Sequence, residues 1–271
     1  MTAEVFHEPL PGGMAWVIGG GTRTEVKLRR PWQQPLDLLV RPESCPFCTK
    51  PQNEIKLEGI PEDWRLLPNS FTPYSRHCLA IPAHCLEAWK LARLGGPKGI
   101  EDALTLSRLA IAEDRGVEMA VFAHIGANAG QNLGHLHWHI CEPFVRQPFS
   151  GYVLREERIV RSFPSATIVA EGSRSGECLI VPTAEGFEKE LPEILSILIE
   201  LGIARFRDPD SGFPPEFSVS MRFDGDGNIR YVAYCPILNI TGVPERVLAP
   251  LEGAPITLPW PHEVTAKYLR S

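Results

Sequence analysis

The chain has 271 residues, a formal charge of −6, eight histidines, seven cysteines and 26 prolines. That length supports one large core or two modest ones, and the acidic balance offers no basic footprint for nucleic acid or an anionic membrane. An odd number of cysteines with no secreted context favours reduced thiols and metal ligation over a disulfide scaffold.

The opening Met1-Thr2-Ala3-Glu4-Val5-Phe6-His7 has neither a basic n-region nor an apolar h-region. The most apolar long segment, Ile194 to Ala204, is interrupted by Ser196 and Glu200 and is too short to span a bilayer. A soluble, cytoplasmic protein is expected. Met14 to Ile18 and Glu25 to Leu28 read as strands on either side of Gly19-Gly20-Gly21. That run suits a hairpin turn, because no Lys-Ser/Thr or helix pattern follows to make a phosphate loop. Leu36 to Val40 is another candidate strand.

Cys45-Pro46-Phe47-Cys48 is a knuckle in which two thiolates can grip one Zn²⁺. The rival, a redox dithiol, needs a helix after the second cysteine, and Lys50-Pro51-Gln52-Asn53 suits a turn instead. The piece from Arg76 then reads as a strand ended by Pro82, with His84 just beyond; Cys78 and Cys85 are rival soft ligands by chemistry. His77 fits either a surface strand position or a site. Cys85 to Leu94 and Ile100 to Arg115 read as helices, and Val117 to Ile125 as an apolar strand. Helices followed by strands suggest an α+β layer with helices packed on one sheet face.

The next stretch holds three of the histidines at alternate positions, His135, His137 and His139, after the loop Gly126-Ala127-Asn128-Ala129-Gly130-Gln131-Asn132-Leu133-Gly134. As a strand over His135 to Cys141, it would line one face with these histidines and the other with Leu136, Trp138 and Ile140. Neighbouring histidines would stand about 6 to 7 Å apart, too far for all three to share one metal. A division of labour along the face is expected, with the loop N–H groups forming an anion nest.

Tyr152 to Val160, Thr167 to Ala170 and Glu177 to Val181 look like further strands. Phe187, Leu191, Ile194, Leu195, Leu198 and Leu201 fall on one face of a helix, which marks core. Phe217 to Phe223 and Ile229 to Cys235 form a hairpin. Its acidic turn, Asp224 to Asn228, is no calcium loop, since Ile229 and Cys235 stand where Gly and Glu are needed. Pro261-His262-Glu263 opens a terminal helix, with His262 solvated. No repeat between the halves is evident. Residues 1–150 are expected to form the catalytic core with its knuckle, and residues 151–271 a C-terminal α+β extension.

Ala129-Gly130-Gln131-Asn132-Leu133-Gly134-His135 with its alternating histidines resembles the signature of the histidine-triad superfamily. Asn69-Ser70-Phe71-Thr72-Pro73 and Arg76-His77-Cys78-Leu79-Ala80-Ile81-Pro82-Ala83-His84 are similar to that superfamily's Asn-x-Phe-Pro and Gly-His-x-Leu-Val-x-Pro-x-x-His. The resemblance implies an antiparallel sheet with helices packed on it, towards the larger galactose-1-phosphate uridylyltransferase-like branch. It further implies a structural zinc held by Cys45, Cys48, His84 and His135. His137 becomes the nucleophile that forms a covalent nucleotidyl-histidine, and His139 a proton or hydrogen-bond donor. Gly130, Gln131 and Asn132 would hold phosphate oxygens, Asn69 and Phe71 would shape the nucleoside pocket, and His124 would stand at a ribose or phosphate contact.

Four departures mark this chain, the first being His124, which stands where the family often has Asn. His139 stands where the uridylyltransferase and the dinucleoside polyphosphate phosphorylases carry Gln, as in the hydrolases; Arg76 replaces Gly; Asn132 replaces Ser. The resulting expectation is a nucleotide hydrolase, with a nucleotidyltransferase or a zinc-stabilised, non-catalytic nucleotide-binding protein as alternatives. A homodimer is the oligomeric state that small members of the superfamily imply, although the C-terminal half is a rival cover for that interface.

Overall fold

The pleat of a strand sends alternate side chains to opposite faces, and one face of the sheet in this chain is apolar from edge to edge. The computed structural model describes residues 3–7, 14–18, 40–49, 53–69, 76–112, 116–127, 129–131, 133–143, 155–170, 176–207, 214–237, 266–267 and 269–270. Strands β1 (Ala3–His7) and β2 (Met14–Ile18) form an antiparallel pair. The sequence reading had not placed β1. The candidate strands at 25–28 and 36–39, the glycine run at 19–21 and the helix start at 261–263 lie outside the described residues.

The other strands are β3 (Trp64–Pro68), β4 (His77–Pro82), β5 (Met119–Ile125), β6 (Trp138–Cys141), β7 (Ile159–Ser162), β8 (Ala166–Ala170), β9 (Cys178–Pro182), β10 (Phe217–Phe223) and β11 (Ile229–Pro236). They make one nine-stranded antiparallel sheet in the order β3-β4-β6-β5-β10-β11-β9-β8-β7. The helices are α1 (Pro46–Thr49), α2 (Ala88–Leu91), α3 (Gly96–Ala112) and α4 (Phe187–Phe206). The architecture is α+β, as the pattern of elements implies.

Leu66, Ala80, Trp138, Ile140, Val121 and Ala123 point to the face that α3 covers, and Met221, Val232, Tyr234 and Ile180 continue it beneath α4. Both helices bury their apolar stripes in that single core: Ile100, Ala103 and Leu104 from α3, and Phe187, Leu191, Ile194, Leu195 and Leu198 from α4. Burial of such side chains contributes roughly 1.5–3 kcal/mol each. No helix among the described residues is long and apolar enough to cross a membrane.

Two elements differ from expectation. The helix read from Cys85 to Leu94 shrinks to α2, because Glu87 is extended (φ −58°, ψ 149°) and Leu94 has φ 54°. The strand read from Tyr152 is replaced, where described, by a 3-10 turn at Glu156–Arg158 leading into β7.

The strand order is symmetric about the β5–β10 seam. Outward on one side run β5, β6, β4 and β3; outward on the other run β10, β11, β9 and β8. Each half is a hairpin, a helix and a second hairpin in chain order. One sheet runs through both halves.

Candidate active site and metal centre

The knuckle is held by short-range bonds. The Cys48 and Thr49 N–H groups donate to the Cys45 carbonyl at 3.2 and 3.0 Å, and Thr49 Oγ1 donates to it at 2.8 Å. This turn aims two thiols at one ring. Nδ1 of His135 lies 3.4 Å from Cys45 Sγ, 3.6 Å from Cys48 Sγ and 3.3 Å from Cys85 Sγ, and the Cys48 and Cys85 sulfurs are 3.6 Å apart. A tetrahedral Zn²⁺, with bonds of about 2.3 Å to sulfur and about 2.0 Å to nitrogen, sets donor separations of about 3.8 Å for S···S and about 3.5 Å for S···N. The four donors therefore fit a structural metal. Nε2–H of His135 donates to the Pro82 carbonyl at 2.8 Å, which leaves Nδ1 as the lone pair facing the thiols. Burial holds this imidazole down at about 4, and burial together with the adjoining thiols raises the Cys85 thiol.

Here the expected ligand set changes. Cys45, Cys48 and His135 converge as the resemblance implies, but the fourth member of the cluster is Cys85, not His84. His84 is exposed, whereas Cys85 is half-buried and turned inward by the extended backbone before α2. All seven cysteines are free thiols.

His135 and His137 stand ahead of β6, which starts only at Trp138. The strand expected from His135 is shortened at its N-terminal end, where His135 is drawn to the cluster and to Pro82. The apolar alternation survives: Leu136, Trp138 and Ile140 are fully buried against the helices. His137 is buried as well, and its Nδ1–H donates to the His135 carbonyl at 2.7 Å, so Nε2 carries the lone pair. Burial lowers its pKa and keeps the ring neutral. Phe47 of the knuckle packs on both rings, with centroids 5.3 Å from His135 and 6.1 Å from His137.

The loop before the histidines turns at Gly126 (φ 96°) and Gly130 (φ 98°), a region open to glycine. A Cβ on Gly126 would also collide with Glu216. Gln131 is fully buried; its Oε1 accepts from the Gly126 N–H at 2.8 Å, while its Nε2 has no partner. One N–H of the expected nest, that of Ala129, is already bonded to the Glu216 carboxylate at 3.3 Å. Phe71 and Asn132 lie outside the described residues.

His139 sits among aromatic rings. It stacks on Phe122 at 4.6 Å with 9° between planes, and its centroid is 5.1 Å from that of His137 and 6.2 Å from that of His124. Its Nδ1 is 2.8 Å from Nε2 of His77, and the Asn69 amide nitrogen is 3.3 Å from each His77 ring nitrogen. When both ring nitrogens of His139 are protonated, Nδ1–H donates to His77 Nε2 and the Nε2 proton can be given away. His124 is tied by Nδ1 to Ser218 Oγ at 2.8 Å across the β5–β10 seam. His77, which the sequence left open, and Ser218, which it did not single out, thus join the site.

No family model matches the sequence, and no curated protein matches it. Solved structures do. A GalT-like protein from Arabidopsis thaliana superposes with a TM-score of 0.61 at 16% identity, over 85% of this chain and 93% of its own. An ADP-glucose phosphorylase from Arabidopsis thaliana, solved with ADP-glucose bound, gives 0.60 at 16% identity over 99% of both chains. A yeast Ap4A phosphorylase gives 0.53 at 14% identity over 87% of this chain and 73% of its own. The chain shares its fold with these GalT-like and phosphorylase structures. At these identities the likeness is one of architecture.

Proposed function

We propose that the protein is a nucleotide-processing enzyme that moves a nucleoside monophosphate through a covalent nucleotidyl-His137 intermediate. The observation that carries this reading is the 2.7 Å bond from His137 Nδ1–H to the His135 carbonyl, which leaves Nε2 as a bare nucleophile in the histidine cluster. In the first step Nε2 attacks the α-phosphorus, the N–P bond forms, and the P–O bond to the leaving group breaks. The leaving oxygen takes a proton from Nε2 of the imidazolium form of His139, which returns to the neutral ring. In the second step an acceptor gives its proton back to His139, attacks phosphorus and breaks the N–P bond, restoring neutral His137. The unpartnered Nε2 amide of Gln131 is suited to a phosphoryl oxygen as charge shifts in the transition state. Asn69 and His124 border the face on which the nucleoside would lie.

Cys45, Cys48, Cys85 and His135 would hold a structural Zn²⁺, whose contribution is to pin the knuckle to the start of the histidine stretch. On the acceptor, two observations pull apart. His139 in the third position favours water, hence a hydrolase, while fold neighbours that are phosphorylases and a uridylyltransferase favour phosphate or a phosphorylated acceptor. A cytoplasmic location, where thiols stay reduced, suits the seven free cysteines.

The test is intact-mass spectrometry of the native protein before and after mixing with nucleotide sugars, dinucleoside polyphosphates and nucleoside phosphoramidates, with His137→Gly alongside. A nucleotidyl adduct that needs His137 is the expected result, and chasing it with water, phosphate or a hexose 1-phosphate names the acceptor. Nucleotide binding without adduct or turnover would establish a non-catalytic nucleotide-binding protein instead.

A further inference from the structure

The symmetry of the sheet gives every residue of the histidine face a counterpart in the other half. In the β5–β10 register Met119 opposes Phe223, Phe122 opposes Ser220 and Ile125 opposes Phe217. A two-fold axis through the Phe122–Ser220 pair therefore carries His124 onto Arg222 and Ser218 onto Ala120. His139 opposes Phe122 and Ala233 opposes Ser220, so His139 maps onto Ala233. Tyr231, directly opposite Arg222, takes the place of His137. Leu79 opposes His139 as Leu179 opposes Ala233, which places His77 on Glu177 and Cys78 on Cys178. The second half keeps the scaffold, and at these matched positions it has no histidine.

Its polar residues form a different centre. Arg222 is 8% exposed, and its Nη1 is buried without an acceptor. The cause is legible in the register. His124 bonds to Ser218 across the seam, but the counterpart of that serine is Ala120, which offers Arg222 nothing. Tyr231 stands directly opposite Arg222 on β11, beside the guanidinium. Beyond Ala120 the same row holds Cys141, fully buried and within electrostatic reach of Arg222. Glu118 and Glu177 act on Tyr231, yet neither supplies Nη1 with an acceptor. A buried guanidinium with one open edge over a floor of small side chains matches the planar fork that grips an oxyanion. Arg222 lies two rows along and two strands across from His137, on the order of 15 Å away, so this centre is separate from the nucleophile.

We infer that an oxyanion site, built on Arg222 and Tyr231 over Ala120 and Cys141, takes a phosphate or a phosphomonoester. It does not rest on the nucleotidyl reading, because phosphate binding needs no turnover.

The test is calorimetric titration of the full chain with inorganic phosphate, with and without a saturating nucleoside monophosphate to occupy the histidine face. Wild type is compared with Arg222→Met and Arg222→Lys. The expected result is a phosphate isotherm that survives the nucleotide, weakens about tenfold in the lysine variant and vanishes in the methionine variant, with adduct formation at His137 unchanged. Melting supplies a second readout. Phosphate should raise the wild-type melting temperature and leave that of Arg222→Met unmoved, and in phosphate-free buffer the methionine variant should melt no lower than wild type. Phosphate binding that the nucleotide abolishes completely, or that persists equally in both variants, overturns the proposal. So does a methionine variant that melts lower while the wild type ignores phosphate, since Arg222 would then be structural only.

Discussion

The assignment of Cys85 in place of His84 makes a sharp prediction about zinc. Small structural zinc sites contribute roughly 10–16 kcal/mol of apparent binding free energy over four ligands, so each ligand is worth roughly 2.5–4 kcal/mol, or about two to three powers of ten in affinity. Cys85 Sγ stands 3.3 Å from His135 Nδ1 and 3.6 Å from Cys48 Sγ, fully inside the donor set. Cys85→Ser should therefore weaken zinc by about that factor, and His84→Ala should leave it within about threefold of wild type, as expected of an exposed residue outside the cluster. Native mass spectrometry counts the metal, and competition against a chromogenic chelator ranks the affinities. One zinc per chain is expected for wild type and His84→Ala. A Cys85→Ser protein that keeps its zinc against the chelator while His84→Ala loses it would refute the geometry and restore the ligand set implied by family resemblance.

Two further perturbations probe the site and the core. His77→Gln removes the 2.8 Å partner of His139; a lost orienting hydrogen bond of about 1–1.5 kcal/mol should slow adduct formation about tenfold, whereas His137→Gly should abolish it, as rapid-quench mass spectrometry would show. An unchanged rate in His77→Gln would mean that His139 is oriented by Phe122 alone. Gly202→Ala places a methyl against the buried Tyr234 hydroxyl and should cost roughly 1–3 kcal/mol in urea unfolding. Because that hydroxyl has no partner, Tyr234→Phe should be neutral or stabilising by about 1 kcal/mol and should recover part of the Gly202→Ala loss. Simple additivity of the two would contradict the contact.

The knuckle and the alternating histidines were legible because their chemistry depends on local spacing: two residues between thiols, two between rings. Cys85 was harder. His84 and Cys85 are adjacent and both can ligate, and no side-chain pattern announces which of the two turns to the thiols. The duplication did leave a trace. His77-Cys78-Leu79-Ala80-Ile81-Pro82 and Glu177-Cys178-Leu179-Ile180-Val181-Pro182 share Cys, Leu and Pro at matching places; the first hexamer is β4 and the second is β9 with Glu177 ahead of it. The repeat is faint because the positions that kept their character mostly face the common core, which tolerates any apolar residue of fitting volume. The positions that would announce it to a motif reader, the histidines, are the ones replaced by Glu177, Arg222, Tyr231 and Ala233.

The two rings to which the proposal gives the chemistry, His137 as nucleophile and His139 as proton donor, are positioned by different means, and this bears on which of them the protein can retune. His137 is set by backbone: the Pro82 carbonyl holds His135, and the His135 carbonyl holds His137. Each link fixes a tautomer without help from a titratable side chain, and the thiol cluster anchors the first ring. His139 is set by side chains, with His77 at 2.8 Å, Phe122 stacked beneath it and Asn69 behind His77. Backbone links cannot be altered by single substitutions without moving the chain, so the nucleophile is the constrained partner. The proton donor is the adjustable one. Substitutions at Asn69, His77 or Phe122 should therefore shift the choice between water and other acceptors while the His137 adduct still forms, which separates the half of the reaction that the fold dictates from the half that its side chains select.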